Sequence, residues 1–169
     1  MAVSLILGGA RSGKSKWAEK TALLTGLTVN YVATAPYIEG DVDWQKRIAL
    51  HQSQRPKIWE TIEEPLAIQA LCAADTERQC ILVDCLSLWL SNLIFAEMDV
   101  LAEIDTFLAA LKMSKHEVIL VSNELGLGLV PETKLGRDFR DAQGLLNQKV
   151  AQVADVVTLL VAGLPMNLK

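Results

Sequence analysis

Short apolar, β-branched runs alternate along this chain with longer segments in which apolar residues recur at helical spacing. Val3 to Leu7, Thr28 to Ala33, Ile81 to Asp84, Val118 to Ser122 and Val156 to Val161 read as strands. Between them, Lys14 to Leu24, Asp43 to Gln52, Leu66 to Ala74, Leu86 to Ala96, Val100 to Lys112 and Lys134 to Ala154 are long enough for crossover helices. The alternation predicts an α/β fold with a mostly parallel sheet. Unbroken apolar strands such as Cys80-Ile81-Leu82-Val83 and Val118-Ile119-Leu120-Val121 predict helices on both sheet faces. No repeat, linker or low-complexity tract interrupts the pattern, so one domain over residues 1–169 is expected. The least regular stretches, Thr34 to Val42 and Asn123 to Thr133, are site candidates, because long loops in a compact domain tend to carry function.

Composition narrows the classes. With 51% hydrophobic and 21% charged residues, the chain is too apolar for a disordered protein. A formal net charge of −4 without a Lys/Arg run argues against nucleic acid as the main partner and favours a small ligand. Cys72, Cys80 and Cys85 form no C-x-x-C pair and read as reduced, buried thiols of a cytosolic protein. The apolar start is cut short by Gly8-Gly9, too soon for a signal sequence or a membrane span, so the cytoplasm is the expected location.

The sharpest chemical signal is Gly8-Gly9-Ala10-Arg11-Ser12-Gly13-Lys14-Ser15, a complete G-x-x-x-x-G-K-[ST] pattern between a strand and a helix. Such a loop turns successive N–H groups and a helix N-terminus toward phosphate oxygens, while Lys14 spans the β- and γ-phosphates and Ser15 ligates Mg²⁺. A nucleoside triphosphate is therefore the expected ligand. Asp84 ends an apolar strand, where an acid either positions Mg²⁺ or caps the following helix; with the phosphate loop upstream the metal role leads. Of the two histidines, His116 sits in Lys115-His116-Glu117, a polar junction where a solvated side chain without a role is expected. His51 ends a predicted helix between Arg47 and Arg55, and residue types alone favour a helix-end cap there. Asn123-Glu124-Leu125-Gly126-Leu127-Gly128-Leu129-Val130-Pro131-Glu132 lies at the carboxyl end of a strand, either as a ligand-binding loop or as an ordinary glycine-rich turn. The charges of Arg137-Asp138-Phe139-Arg140-Asp141 read as a solvated helix face or an oligomer contact.

Together these elements resemble the bifunctional adenosylcobinamide kinase and adenosylcobinamide-phosphate guanylyltransferase family of cobalamin nucleotide-loop assembly. The likeness runs over nearly the whole chain. It is carried by the phosphate loop, Tyr31-Val32-Ala33-Thr34-Ala35, Arg47-Ile48 with His51 and Arg55-Pro56, Trp59 with Thr61 and Glu63, Asn123 to Pro131, and Phe139-Arg140-Asp141 with Gly144, Asn147 and Gln148. The resemblance implies a RecA-like domain, a homotrimer, ATP or GTP as phosphoryl donor, Mg²⁺ on Ser15 and Asp84, and a corrinoid substrate. It makes His51 the guanylylated nucleophile, with Lys14 serving the kinase step. Nucleotide contacts are implied at Gly8 to Ser15, Ala33, Thr34, Ala35, Gln52, Ser53, Gln54, Arg55, Glu63 and Asp84. Gly40-Asp41-Val42-Asp43-Trp44 departs from the acidic run of many relatives, and Asp84 stands where Glu is frequent. The competing readings are a P-loop small-molecule kinase without nucleotidyl transfer and a GTP-binding switch.

Overall fold

The computed structural model describes residues 2–36 and 38–169; the side chains of Arg47, His51 and Gln54 lie outside what it describes. Strands β1 (Val3–Gly8), β2 (Val29–Ala33), β3 (Glu60–Glu63), β4 (Cys80–Asp84), β5 (Glu117–Asn123), β6 (Val156–Val161) and β7 (Leu164–Asn167) form one sheet in the order β3-β2-β4-β5-β1-β6-β7. All neighbouring pairs are parallel except β6 with β7. The helices are α1 (Lys14–Leu24), α2 (Val42–Gln54), α3 (Ile68–Cys72), α4 (Leu86–Phe95), α5 (Val100–Met113) and α6 (Lys134–Val153). Among the described residues no helix is long and apolar enough to cross a membrane.

Strand periodicity divides the core between the two faces of the sheet. Val3, Leu5 and Leu7 of β1, Ile81 and Val83 of β4, and Val118 and Leu120 of β5 pack with Trp89, Phe107, Leu146 and Val150 from α4, α5 and α6. Ile6, Leu82, Ile119 and Val121 point the other way, onto Ala18 and Ala22 of α1. Side chains cap three helices: Asp41 accepts from Trp44 N–H at 2.9 Å, Asp99 from Leu101 and Ala102 N–H, and Thr133 from Gly136 N–H. Each such cap stabilises by about 0.5–2 kcal/mol. Helix α1 begins instead at left-handed Gly13, φ 96°, with no side-chain cap, which leaves its first N–H groups for a ligand.

Two strands escape the hydrophobic pattern. Glu60–Glu63 is a largely exposed edge strand with two glutamates, so nothing in its composition marks a sheet element. Leu164–Asn167 is also an exposed edge and holds Pro165; it forms because Ala162 and Gly163 both adopt positive φ, 52° and 82°, and close a two-residue hairpin. His116 is the clear reversal. It is not solvated but fully buried, its Nδ1 accepting from Gln79 N–H at 3.2 Å and its Nε2 lying 3.0 Å from the Ala74 carbonyl. The ring ties the turn before β4 to the start of β5, and the acceptor role of Nδ1 makes the neutral ring a donor at Nε2.

Candidate active site

The nucleotide-site candidates gather at the carboxyl edge of the sheet, where parallel α/β sheets bind ligands. Register places them side by side: Ala33 pairs with both Glu63 and Asp84, while Gly8 ends β1 beside Asn123 of β5. The phosphate loop leaves β1 at Gly8, where a Cβ would stand 2.6 Å from the Leu160 carbonyl and 2.5 Å from Ser12 Oγ. Only glycine fits. Arg11 and Gly13 both take positive φ, 56° and 96°, and curl the backbone, and the Ser12 carbonyl accepts from Gly163 N–H at 2.9 Å. The β6–β7 turn thus braces the loop, a contact that a two-residue Ala-Gly turn between apolar pairs hints at only faintly.

Lys14 is 8% exposed, and its Nζ donates to the Gly9 carbonyl at 2.6 Å. Burial holds its pKa below the ordinary lysine value, opposed by coupling to the neighbouring Cys85 and Asp84 side chains. Ser12 Oγ is buried inside the loop with no hydrogen-bond partner among the described residues. An orphaned donor, a desolvated cation turned back on its own backbone and an uncapped helix fit a bound polyphosphate. Ser15 is half-buried at the first turn of α1, and the Asp84 carboxylate lies within electrostatic reach of Lys14. One hydroxyl and one carboxylate suit Mg²⁺, which takes most of its ligands from phosphates and water. Asp84 does not cap α4: Cys85 occupies the N-cap position, without a side-chain cap bond, and Asp84 Oδ2 accepts from Tyr31 OH at 2.7 Å.

Thr34 is fully buried. Its hydroxyl accepts from Cys85 N–H and donates to the Cys85 carbonyl, both at 2.8 Å, while its own carbonyl accepts from Asn92 Nδ2. With those atoms committed, its hydroxyl holds the end of β4 in place. Ala35 follows, half-buried. Helix α2 carries His51 and Gln52 in its last turns, and Gln52 Nε2 donates to Glu63 Oε1 at 3.1 Å, so this helix end lies against the carboxyl end of β3. Ser53 Oγ donates back to the Leu50 carbonyl. Arg55 ends the helix with its guanidinium 3.8 Å from the centre of the Tyr31 ring. The roles assigned to the His51 and Gln54 side chains fall outside the described residues.

The loop after β5 is rooted at the same place. Glu124 N–H donates to the Gly8 carbonyl at 3.0 Å, and Asn147 Nδ2 reaches the Asn123 carbonyl. Beyond the root, Leu127, Leu129 and Val130 are 84%, 96% and 66% exposed. Part of the charge on α6 is therefore structural: Arg140 donates to the Gly126 carbonyl, and Arg137 to those of Pro131 and Glu132.

A glycine-rich loop with a buried lysine, opening a helix at the carboxyl edge of a parallel sheet and one strand removed from an acid-tipped strand, defines a P-loop nucleotide-binding protein of the RecA-like type. The fold agrees with that of the flagellar accessory protein FlaH from Methanocaldococcus jannaschii, which superposes with a TM-score of 0.55 at 16% identity over 99% of this chain and 78% of that one. Residues 4–168 match the family of cobinamide kinase / cobinamide phosphate guanyltransferase, and the chain belongs to that family. It is 48% identical to the bifunctional adenosylcobalamin biosynthesis protein CobP of Pseudomonas aeruginosa, over 98% of this chain and 96% of that one. It is 35% identical to the bifunctional adenosylcobalamin biosynthesis protein CobU of Escherichia coli, over 98% of both chains.

Proposed function

We propose that the carboxyl edge of this sheet phosphorylates adenosylcobinamide with ATP or GTP and then transfers GMP from GTP to the product through a guanylyl-histidine at His51. The observation that carries it is the contact between Gln52 and Glu63, which brings the turn containing His51 to the edge that also holds the phosphate loop and Asp84. In the first reaction the aminopropanol hydroxyl attacks the γ-phosphorus and the nucleoside diphosphate leaves. Lys14 and the loop N–H groups hold the developing charge, worth about 10²–10³ in rate for a lost donor. Magnesium, held by Ser15 and Asp84 together with phosphate oxygens, would neutralise charge on the β- and γ-phosphates. In the second reaction the neutral imidazole of His51 attacks the α-phosphorus of GTP and pyrophosphate leaves. The phosphate of adenosylcobinamide phosphate then breaks the P–N bond, giving adenosylcobinamide-GDP and free histidine. Ala33, Ala35, Gln52, Ser53, Gln54, Arg55 and Glu63 line the nucleotide in this reading. It also carries a homotrimer in the cytoplasm; the net charge of −4 speaks against a nucleic-acid partner.

The test uses GTP labelled at the α-phosphate. Wild-type protein should retain an acid-labile, alkali-stable label within the peptide from Ile48 to Arg55. His51→Asn should lose both label and guanylyl transfer and keep kinase turnover. Transfer that proceeds normally in His51→Asn would leave a direct, kinase-like mechanism in its place.

A further inference from the structure

Tyr31 touches both halves of the proposed site, although the sequence assigns it no role of its own beyond its place in strand β2 and in the Tyr31 to Ala35 run. On β2 it pairs with Leu82 of β4, and its side chain projects to the same face as Asp84, two residues further along that strand. This diagonal reach across neighbouring strands suits an aromatic side chain. Its hydroxyl donates to Asp84 Oδ2 at 2.7 Å. One face of its ring carries the Arg55 guanidinium at 3.8 Å, and Trp59 stacks on the ring at 6.4 Å between centroids. Arg55 Nε is buried with no hydrogen-bond partner among the described residues, and its Nη1 reaches Thr61 Oγ1 only at 3.5 Å. The aromatic face is therefore a principal anchor for that guanidinium, which terminates the helix holding His51.

We infer that Tyr31 is a positioning residue joining the two chemistries, its hydroxyl fixing the Asp84 carboxylate beside the phosphate loop and its ring fixing the end of α2 through Arg55. The inference rests on the metal role of Asp84 and on the α2 site proposed above. Tyr31 is 3% exposed and its hydroxyl is committed as a donor to Asp84 Oδ2, so it acts by holding that carboxylate in place.

Two substitutions separate the functions of this side chain. Tyr31→Phe removes the hydroxyl and keeps the ring; Tyr31→Leu removes both. Mn²⁺ binding to the protein with a non-hydrolysable GTP analogue, followed by electron paramagnetic resonance, should weaken three- to tenfold in both variants. Hydrogen exchange in the peptide spanning residues 48–55 of nucleotide-free protein should accelerate in Tyr31→Leu alone. Formation of the GMP adduct should fall about tenfold in Tyr31→Leu and stay within twofold of wild type in Tyr31→Phe. Asp84→Asn and the Tyr31→Phe/Asp84→Asn double variant complete the cycle: a hydroxyl acting through Asp84 makes the double variant bind Mn²⁺ no more weakly than Asp84→Asn. If Asp84→Asn weakens the metal and Tyr31→Phe does not, the positioning role is overturned while the site assignment stands. If neither weakens it, the metal role of Asp84 falls and the Tyr31–Asp84 half of the inference falls with it. Unchanged exchange at residues 48–55 in Tyr31→Leu overturns the half that runs through Arg55.

Discussion

Replacing Lys14 with methionine should make the free protein more stable and the enzyme inactive, because the same buried ammonium burdens the fold and serves the ligand. In the free protein the side chain is 8% exposed and its one hydrogen bond among the described residues is to the Gly9 carbonyl. Methionine keeps most of the apolar stem, and the exposed Gly9 can turn its carbonyl to water. Replacing a buried charge by an apolar side chain of similar volume ranges from neutral to about 4 kcal/mol stabilising, and here about 1–2 kcal/mol is expected. For a chain of this size that is a rise in Tm of roughly 2–8 °C. Nucleotide reverses the order. At a hundredfold excess over Kd, a ligand stabilises wild type by about 2.7 kcal/mol, roughly 5–11 °C, and Lys14→Met should show little of this shift.

The pH dependence of the difference has a definite sign. Burial holds the folded pKa of Lys14 below the unfolded value of 10.5, with Cys85 and Asp84 opposing. In the window just below 10.5 the unfolded chain binds more protons than the folded one, so this group's contribution to wild-type stability rises with pH there. The advantage of Lys14→Met should accordingly be full near neutrality and shrink as pH climbs toward 10.5. Thermal melts of both proteins, with and without GTP, from pH 7 to 10, measure all of this. A variant less stable than wild type by more than 1 kcal/mol, or one that keeps the GTP-induced shift, would refute the reasoning.

His116→Phe fills the same space but strands the Gln79 N–H and the Ala74 carbonyl; at about 1–3 kcal/mol per orphaned group it should lower Tm by roughly 4–24 °C while kinase turnover at 25 °C survives. A solvated histidine would show neither effect. Thr34→Val keeps shape and burial but removes the hydroxyl that both accepts from and donates to Cys85, so it should cost about 2–4 kcal/mol in denaturant unfolding and also weaken Mg²⁺-dependent turnover by loosening Asp84. A loss of stability at unchanged Mg²⁺ dependence would confine Thr34 to folding.

Periodicity and spacing carried much of this protein on their own. Among the described residues, the six helices and five of the strands follow from apolar runs alternating with helical patterns, because burying a helix or a parallel strand requires that pattern locally. The phosphate loop is legible for the same reason: its chemistry is written in eight consecutive residues, and a glycine such as Gly8 is demanded by contacts a Cβ would violate. Strands Glu60–Glu63 and Leu164–Asn167 were not legible, since an exposed edge takes its stability from a neighbour's backbone and needs no apolar side chains. Nor could neighbouring residues in the chain reveal that His116 is sealed inside, that Tyr31 holds Asp84, or that Gly163 braces Ser12. Those partners lie 37, 53 and 151 positions apart. Only the order of the strands, with β4 and β1 separated by β5 and β2 beyond them, brings them within hydrogen-bonding distance. Local propensity determined which segments became strands and helices; the pairing of distant strands decided which of their polar groups would meet.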